Sequence, residues 1–175
     1  MVGRRTAASS LAAGALTGTV ALYMALVAFG NITDFDTNRA FVQHVLAMDT
    51  TFKDPDLMWR AVTSRSLQDA AYVAIIVWET ASAAVLVVAT VLWALRRDLA
   101  RRLSGLGLVM VLLLFGAGFL AIGGEWFAMW QSKTWNGLEA ATRNIVLAGI
   151  ALLVVQLTPA AAARRTPARP DPGQE

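Results

Sequence analysis

The chain has 175 residues, of which 57% are hydrophobic and 15% charged, with a formal net charge of +3 and no cysteine. Water-soluble domains carry about a quarter charged residues, so there is too little polar side chain here to coat a soluble fold. Absent cysteines exclude disulfides, and the high isoelectric point comes from arginines placed between apolar runs, with no aromatic–basic groove to suggest nucleic acid.

The first run, Thr6 to Thr33, contains no charge and follows "GRR". It is longer than the roughly 7–15 apolar residues at the heart of a cleaved signal peptide, so it reads as a retained membrane helix over about 8–30. Gly14 and Gly18 form a GxxxG pair within it, the small-residue spacing that lets helix backbones approach in lipid. Within the bundle or in a neighbouring subunit, the expected role is helix packing.

Residues 31–66 form a polar loop with helical content. In "FVQHVLAMDTTF" the residues Phe41, Val42, Val45, Leu46 and Met48 fall mostly on one helical face, which predicts a short amphipathic helix on the membrane surface. "DPDLMWR" places Asp54 as an N-cap and Pro55 at the first helical position, with Asp56 and Arg60 spaced for an ion pair. Ser66 and Asp69 resemble a capping box and set the second membrane helix at about 67–95. Phe41, His44, Asp49 and Trp59 are the candidate interaction surface of this loop.

Further spans are expected at about 104–130 and 139–158, from the charge-free runs bracketed by Arg102 and Glu125 and by Arg143 and Arg164, each covering the roughly 20 residues needed to cross hydrocarbon. "RRDLARR" joins helices 2 and 3 and "ARRTPAR" follows helix 4. Cation-rich short segments stay in the cytoplasm, so residues 1–7 and a disordered tail at 159–175 are expected inside. Tyr72, Trp126, Trp130 and Trp135 are expected at the outer interface and Trp93 at the inner one, with Trp78 buried beside Glu79.

Glu79 is the single charge in the run from Ala70 to Leu95. An acid there is costly in lipid, so it should face inward and be paired or protonated. If the third and fourth spans turn near Thr134, Glu125 and Arg143 lie at one height, with Glu79 about one helical turn deeper. The expectation is a buried polar cluster of Glu79, Glu125, Arg143 and Asn144.

No hydrolase elbow, phosphate loop, dinucleotide fingerprint or metal-ligand spacing is present, and His44 is the only histidine. No catalytic residue, metal or cofactor is therefore expected.

The words "NITDFDTNRAFVQHVLAMDTTF", "LMWRA" and the "WE" at Glu79 resemble a family of predicted small integral membrane proteins, domain of unknown function 2165. The resemblance spans about residues 15–158 and implies a four-helix protein of a bacterial inner membrane, with no assigned activity. Taken together, the expected architecture is an all-α bundle of four transmembrane helices with a helical extracytoplasmic loop. Its expected partners are the lipid bilayer and other membrane-protein subunits. The expected role is an accessory or assembly subunit of a larger membrane complex. The alternative is a small transporter or a lipophilic-ligand or quinone binder, using Glu79, Glu125 and Arg143.

Overall fold

The computed structural model describes residues 2–158, with side chains from Ala7 onward; the expected disordered tail lies outside the described residues. The elements are α1 (Val2–Thr33), α2 (Phe35–Ala47), a 3₁₀ turn (Met58–Arg60), α3 (Arg65–Ala94) and α4 (Leu99–Leu112). A π-helical continuation (Leu113–Trp126), a second 3₁₀ turn (Met129–Gln131) and α5 (Leu138–Leu157) follow. Four segments are long and apolar enough to span a membrane: Ala7–Thr33, Arg65–Ala94, Leu99–Trp126 and Leu138–Leu157. The shortest has 20 residues, about 30 Å at 1.5 Å per residue, which matches the hydrocarbon thickness.

The residue distribution is that of a protein dissolved in lipid. The interior holds small and weakly polar side chains: Ala13, Thr17, Ala21, Ser82, Ala148 and Ala151 are all buried. Large apolar side chains point outward, among them Leu11 (75% exposed), Phe29 (65%) and Leu153 (64%). Soluble monomers rarely expose contiguous apolar patches larger than a few hundred Å², whereas close packing through small residues is how helices associate in a bilayer.

α1 packs chiefly against α3, α3 against α4, and α5 closes the bundle against α4 and α1. The four spans alternate in direction, so α1's start, the α3–α4 turn and α5's end share one face of the bundle, the turn face. α2 and the long connections share the other, the loop face. The glycine pair packs inside the bundle: a Cβ on Gly14 would lie 3.1 Å from Trp93 Cβ, and one on Gly18 would lie 3.2 Å from Thr90 Cγ2. Gly107 is tighter still, since a Cβ there would lie 2.6 Å from Leu86 Cγ.

Several local expectations are corrected. The second span starts at Arg65, with Ser64 at the N-cap position making no side-chain cap bond; Ser66 lies inside the helix and Asp69 accepts from Arg39. Asp54 does organise its turn, accepting from the Asp56 N–H at 3.0 Å, yet only one 3₁₀ turn follows. Arg60 does not pair with Asp56; its guanidinium lies over the rings of Trp126 (4.9 Å) and Trp59 (5.6 Å). The third span ends at Trp126, four residues before the expected boundary. Trp78 is 40% exposed and Tyr72 is 1% exposed, the reverse of their expected places.

Candidate functional site

Glu79 is held on the inner face of α3 by the helical spacing of its buried neighbours Tyr72, Ile76, Ala83 and Leu86. It is 3% exposed, and its carboxylate accepts a hydrogen bond from Asn31 Nδ2 at 2.7 Å. Asn31 is itself buried near the end of α1, and its Oδ1 accepts from Asn38 Nδ2 of α2 at 2.6 Å. Asn38 is exposed. A chain of two amides, Asn38 and Asn31, therefore runs from the loop face to an acid inside the bundle. Tyr72 closes one side, with its hydroxyl 3.4 Å from Asn31 O and its ring 4.8 Å from Phe35.

The expected four-residue cluster does not assemble. Arg143 is exposed and its ion pair, at 3.7 Å, is with Glu139 one turn earlier on the same helix. Glu125 is also exposed, and among the described residues no ion pair joins Glu79, Glu125 and Arg143. Asn144 is buried on the seam of α5 with Ala141, Ala148, Ala151 and Val155. The physical reason is the backbone between 113 and 126. Phe127 N–H donates to Ile122 O, five residues back, and a π-helical stretch with that pattern rotates and raises its side chains differently from the α-helix assumed in matching heights. Earlier termination of the span then leaves Glu125 at its mouth, with Arg143 more than a turn inside α5.

Around this wide helical segment lies a second feature that the sequence did not disclose. Gly116 and Gly124 face Ile145 and Leu138 of α5, whereas Gly118 and Gly123 remove bulk where the π-helix passes α2 and α3. A cavity of about 320 Å³ opens there, lined by Phe41, Val45, Ala71, Ile75, Phe119 and Met129 among others. Its walls are almost wholly apolar, and its size is within the roughly 300–1,000 Å³ typical of ligand pockets. Phe41 lies on its rim, 6.4 Å from Phe119 and 6.2 Å from Trp135.

Above that rim, His44 is sandwiched into the loop. Its ring stacks on Trp135 at 4.6 Å, and its Nδ1–H donates to the Asp49 carboxylate at 2.8 Å. The expected surface group is thus divided: Phe41 packs inward, His44 and Asp49 form a pair, and Trp59 is 70% exposed against Trp126. Arg39 anchors α2 to α3 through a two-pronged bond to Asp69. That hydrogen bonding, backed by the carboxylate's charge, holds the Arg39 guanidinium above its ordinary range. The loop is also stitched to the α5 side, through Thr50 to Ser132 at 2.9 Å and the Phe52 N–H to Gln131 Oε1 at 2.9 Å.

These features sit in a sequence whose residues 9–158 match the model of a family described as predicted small integral membrane protein (DUF2165). The chain belongs to that family. Neither a curated protein nor a solved structure matches it. For this DUF2165 member, integral membrane character is thus supported by the family match and by the four apolar helices. Among the described residues, no group of three or more His, Cys, Asp and Glu side chains could hold a metal ion.

Proposed function

We propose that this DUF2165 protein is a non-enzymatic membrane component that receives a lipophilic chain, acyl or isoprenoid, in the apolar cavity beneath α2. The cavity carries this reading. Its almost wholly apolar lining and its size in the range of ligand pockets suit an acyl or isoprenoid chain better than a polar ligand. Phe41 at the rim, with the His44–Asp49 pair beyond it, leaves room for a polar head at the loop face while the chain stays below.

Glu79 acts in this reading as an internal anchor for α1, α2 and α3, not as a ligand for cations. The loop face is extracytoplasmic and both termini are cytoplasmic in a bacterial plasma membrane; the arginines at 96, 97, 101 and 102 support that orientation.

The test is saturable binding of a fluorescent fatty-acid analogue by the purified protein in detergent. Binding should be displaced by unlabelled long-chain lipids and weakened at least tenfold in Ala71→Phe, which fills the cavity. Non-saturable uptake, or equal binding by Ala71→Phe with unchanged thermal stability, overturns the proposal.

A second reading, an accessory subunit of a larger complex, is favoured by the aromatic crown of the loop face. Phe52 (71% exposed), Trp59 (70%) and Trp130 (50%) lie there together, with Phe52 5.9 Å from Trp130. A stoichiometric partner retained through gentle extraction and lost in Trp59→Ala would support it. Retention of the same partner by the variant would count against docking at this crown.

A further inference from the structure

At the turn face an open groove of about 1420 Å³ runs between α1, the end of α3 and α4. Its mouth carries four arginines, Arg96, Arg97, Arg101 and Arg102, against one carboxylate, Asp98. Among the described residues none of these arginines forms an ion pair, although Asp98 is adjacent in sequence. The floor is lowered by Gly14 and Gly105, and the walls continue along Leu11, Leu106 and Val109, which face outward.

Two details show that the cations are positioned by the fold. Arg101 Nη2 donates to Gln156 O at 2.6 Å and lies 3.3 Å from Gln156 Oε1, which fixes one guanidinium at the groove's edge. Arg96 occupies the left-handed region, with φ of 55°, where a side chain other than glycine or asparagine is disfavoured. Helix α3 ends through it: its N–H bonds to Trp93 O and the Arg97 N–H to Leu92 O. Glycine would serve that backbone better, so the arginine there contributes something other than the turn.

We propose that this groove binds an anionic phospholipid, its phosphate among the arginines and one acyl chain along the wall of α1 and α4. The argument is charge complementarity at the depth of a lipid headgroup, continuous with an apolar wall. Guanidinium groups recognise phosphate in forked geometry, and basic pockets between membrane helices are suited to anionic head groups. A soluble phosphate would use the mouth but leave the wall without a role. This site is separate from the cavity beneath α2, and either can fail without the other.

The experiment is a lipid titration of the full chain in phosphatidylcholine nanodiscs, using native mass spectrometry to count bound phosphatidylglycerol and thermal unfolding as the control. Wild type should retain phosphatidylglycerol over phosphatidylcholine. Arg96→Gly should weaken it about fivefold and Arg96→Gly with Arg97→Gln about twenty-five-fold, taking about one unit of surface attraction per lost arginine. Because glycine suits the backbone, Arg96→Gly should keep or raise Tm in pure phosphatidylcholine, which separates a binding role from a folding one. Equal retention of both lipids, or undiminished phosphatidylglycerol binding by the double variant, overturns the proposal. So does an equal Tm rise from inorganic phosphate alone, which would make the occupant a soluble anion.

Discussion

The two ends of the bundle solve the same packing problem in different ways. Toward the turn face, α1, α3 and α4 meet through small residues and one compact hydroxyl node: Thr17 Oγ1 donates to Ser104 Oγ at 3.1 Å, and Trp93 Nε1 donates to the same oxygen at 2.9 Å. Thr17 and Ser104 are wholly buried, and Gly14, Gly18 and Gly107 hold the helices close. Toward the loop face, the same helices diverge, a π-helical stretch replaces α-helix, and the gap is filled by aromatics, amides and a cavity. Where backbones touch there is no room for a ligand inside the bundle, and the arginine-lined groove lies on its outer side, along Leu11, Leu106 and Val109. Where they part, each polar group needs a partner brought from elsewhere, and Asn31 serves Glu79 in that way.

The largest expected effect tests the tight half. Gly107→Leu forces a side chain into Leu86 and should cost about 3 kcal/mol, the upper end of ordinary overpacking penalties, read as a fall in thermal stability in detergent. Next comes the open half. Asn31→Leu leaves Glu79 without its donor and should cost about 1.5 kcal/mol, high for a membrane-buried polar contact; Glu79→Gln, which keeps a hydrogen-bonding side chain, should cost less. Trp93→Phe removes one donor from the hydroxyl node and should cost about 0.6 kcal/mol, the average for such bonds. Smallest of all, Glu125→Gln and Arg143→Gln each should stay within about 0.5 kcal/mol, as expected for exposed substitutions. A loss at Arg143 equal to that at Asn31 would show that the cation does reach the buried acid.

The four spans were legible because length and hydropathy answer directly to bilayer thickness, and Gly14 and Gly18 because small-residue spacing is local. The face of α2 was legible for the same reason, and Val42 is buried as its periodicity requires, while Met48 is buried just past the helix end, in the left-handed cap. Glu79 was recognisably internal, but its partner was not. Asn31 lies at the end of the first apolar run, where it reads as loop, and helix heights carry no rotational information. Trp78 shows the limit in one step. Neighbouring helical residues are about 100° apart, so burying Glu79 turns Trp78 outward, where its Nε1–H donates to Met110 O at 2.9 Å. The π-helical segment had a faint trace in its four glycines, and without it neither the cavity nor the separation of Glu125 from Arg143 could be derived.

The absence of cysteine permits a direct test of the proposed lipophilic cavity. Ala71→Cys places a single thiol on its wall, while Gly149→Cys places one where an added Cβ meets nothing within 4 Å. Alkylation by a lipophilic maleimide should be slowed strongly at position 71 by added long-chain lipid and left unchanged at position 149. Equal protection at both positions, or none at either, would contradict an occupied cavity beneath α2.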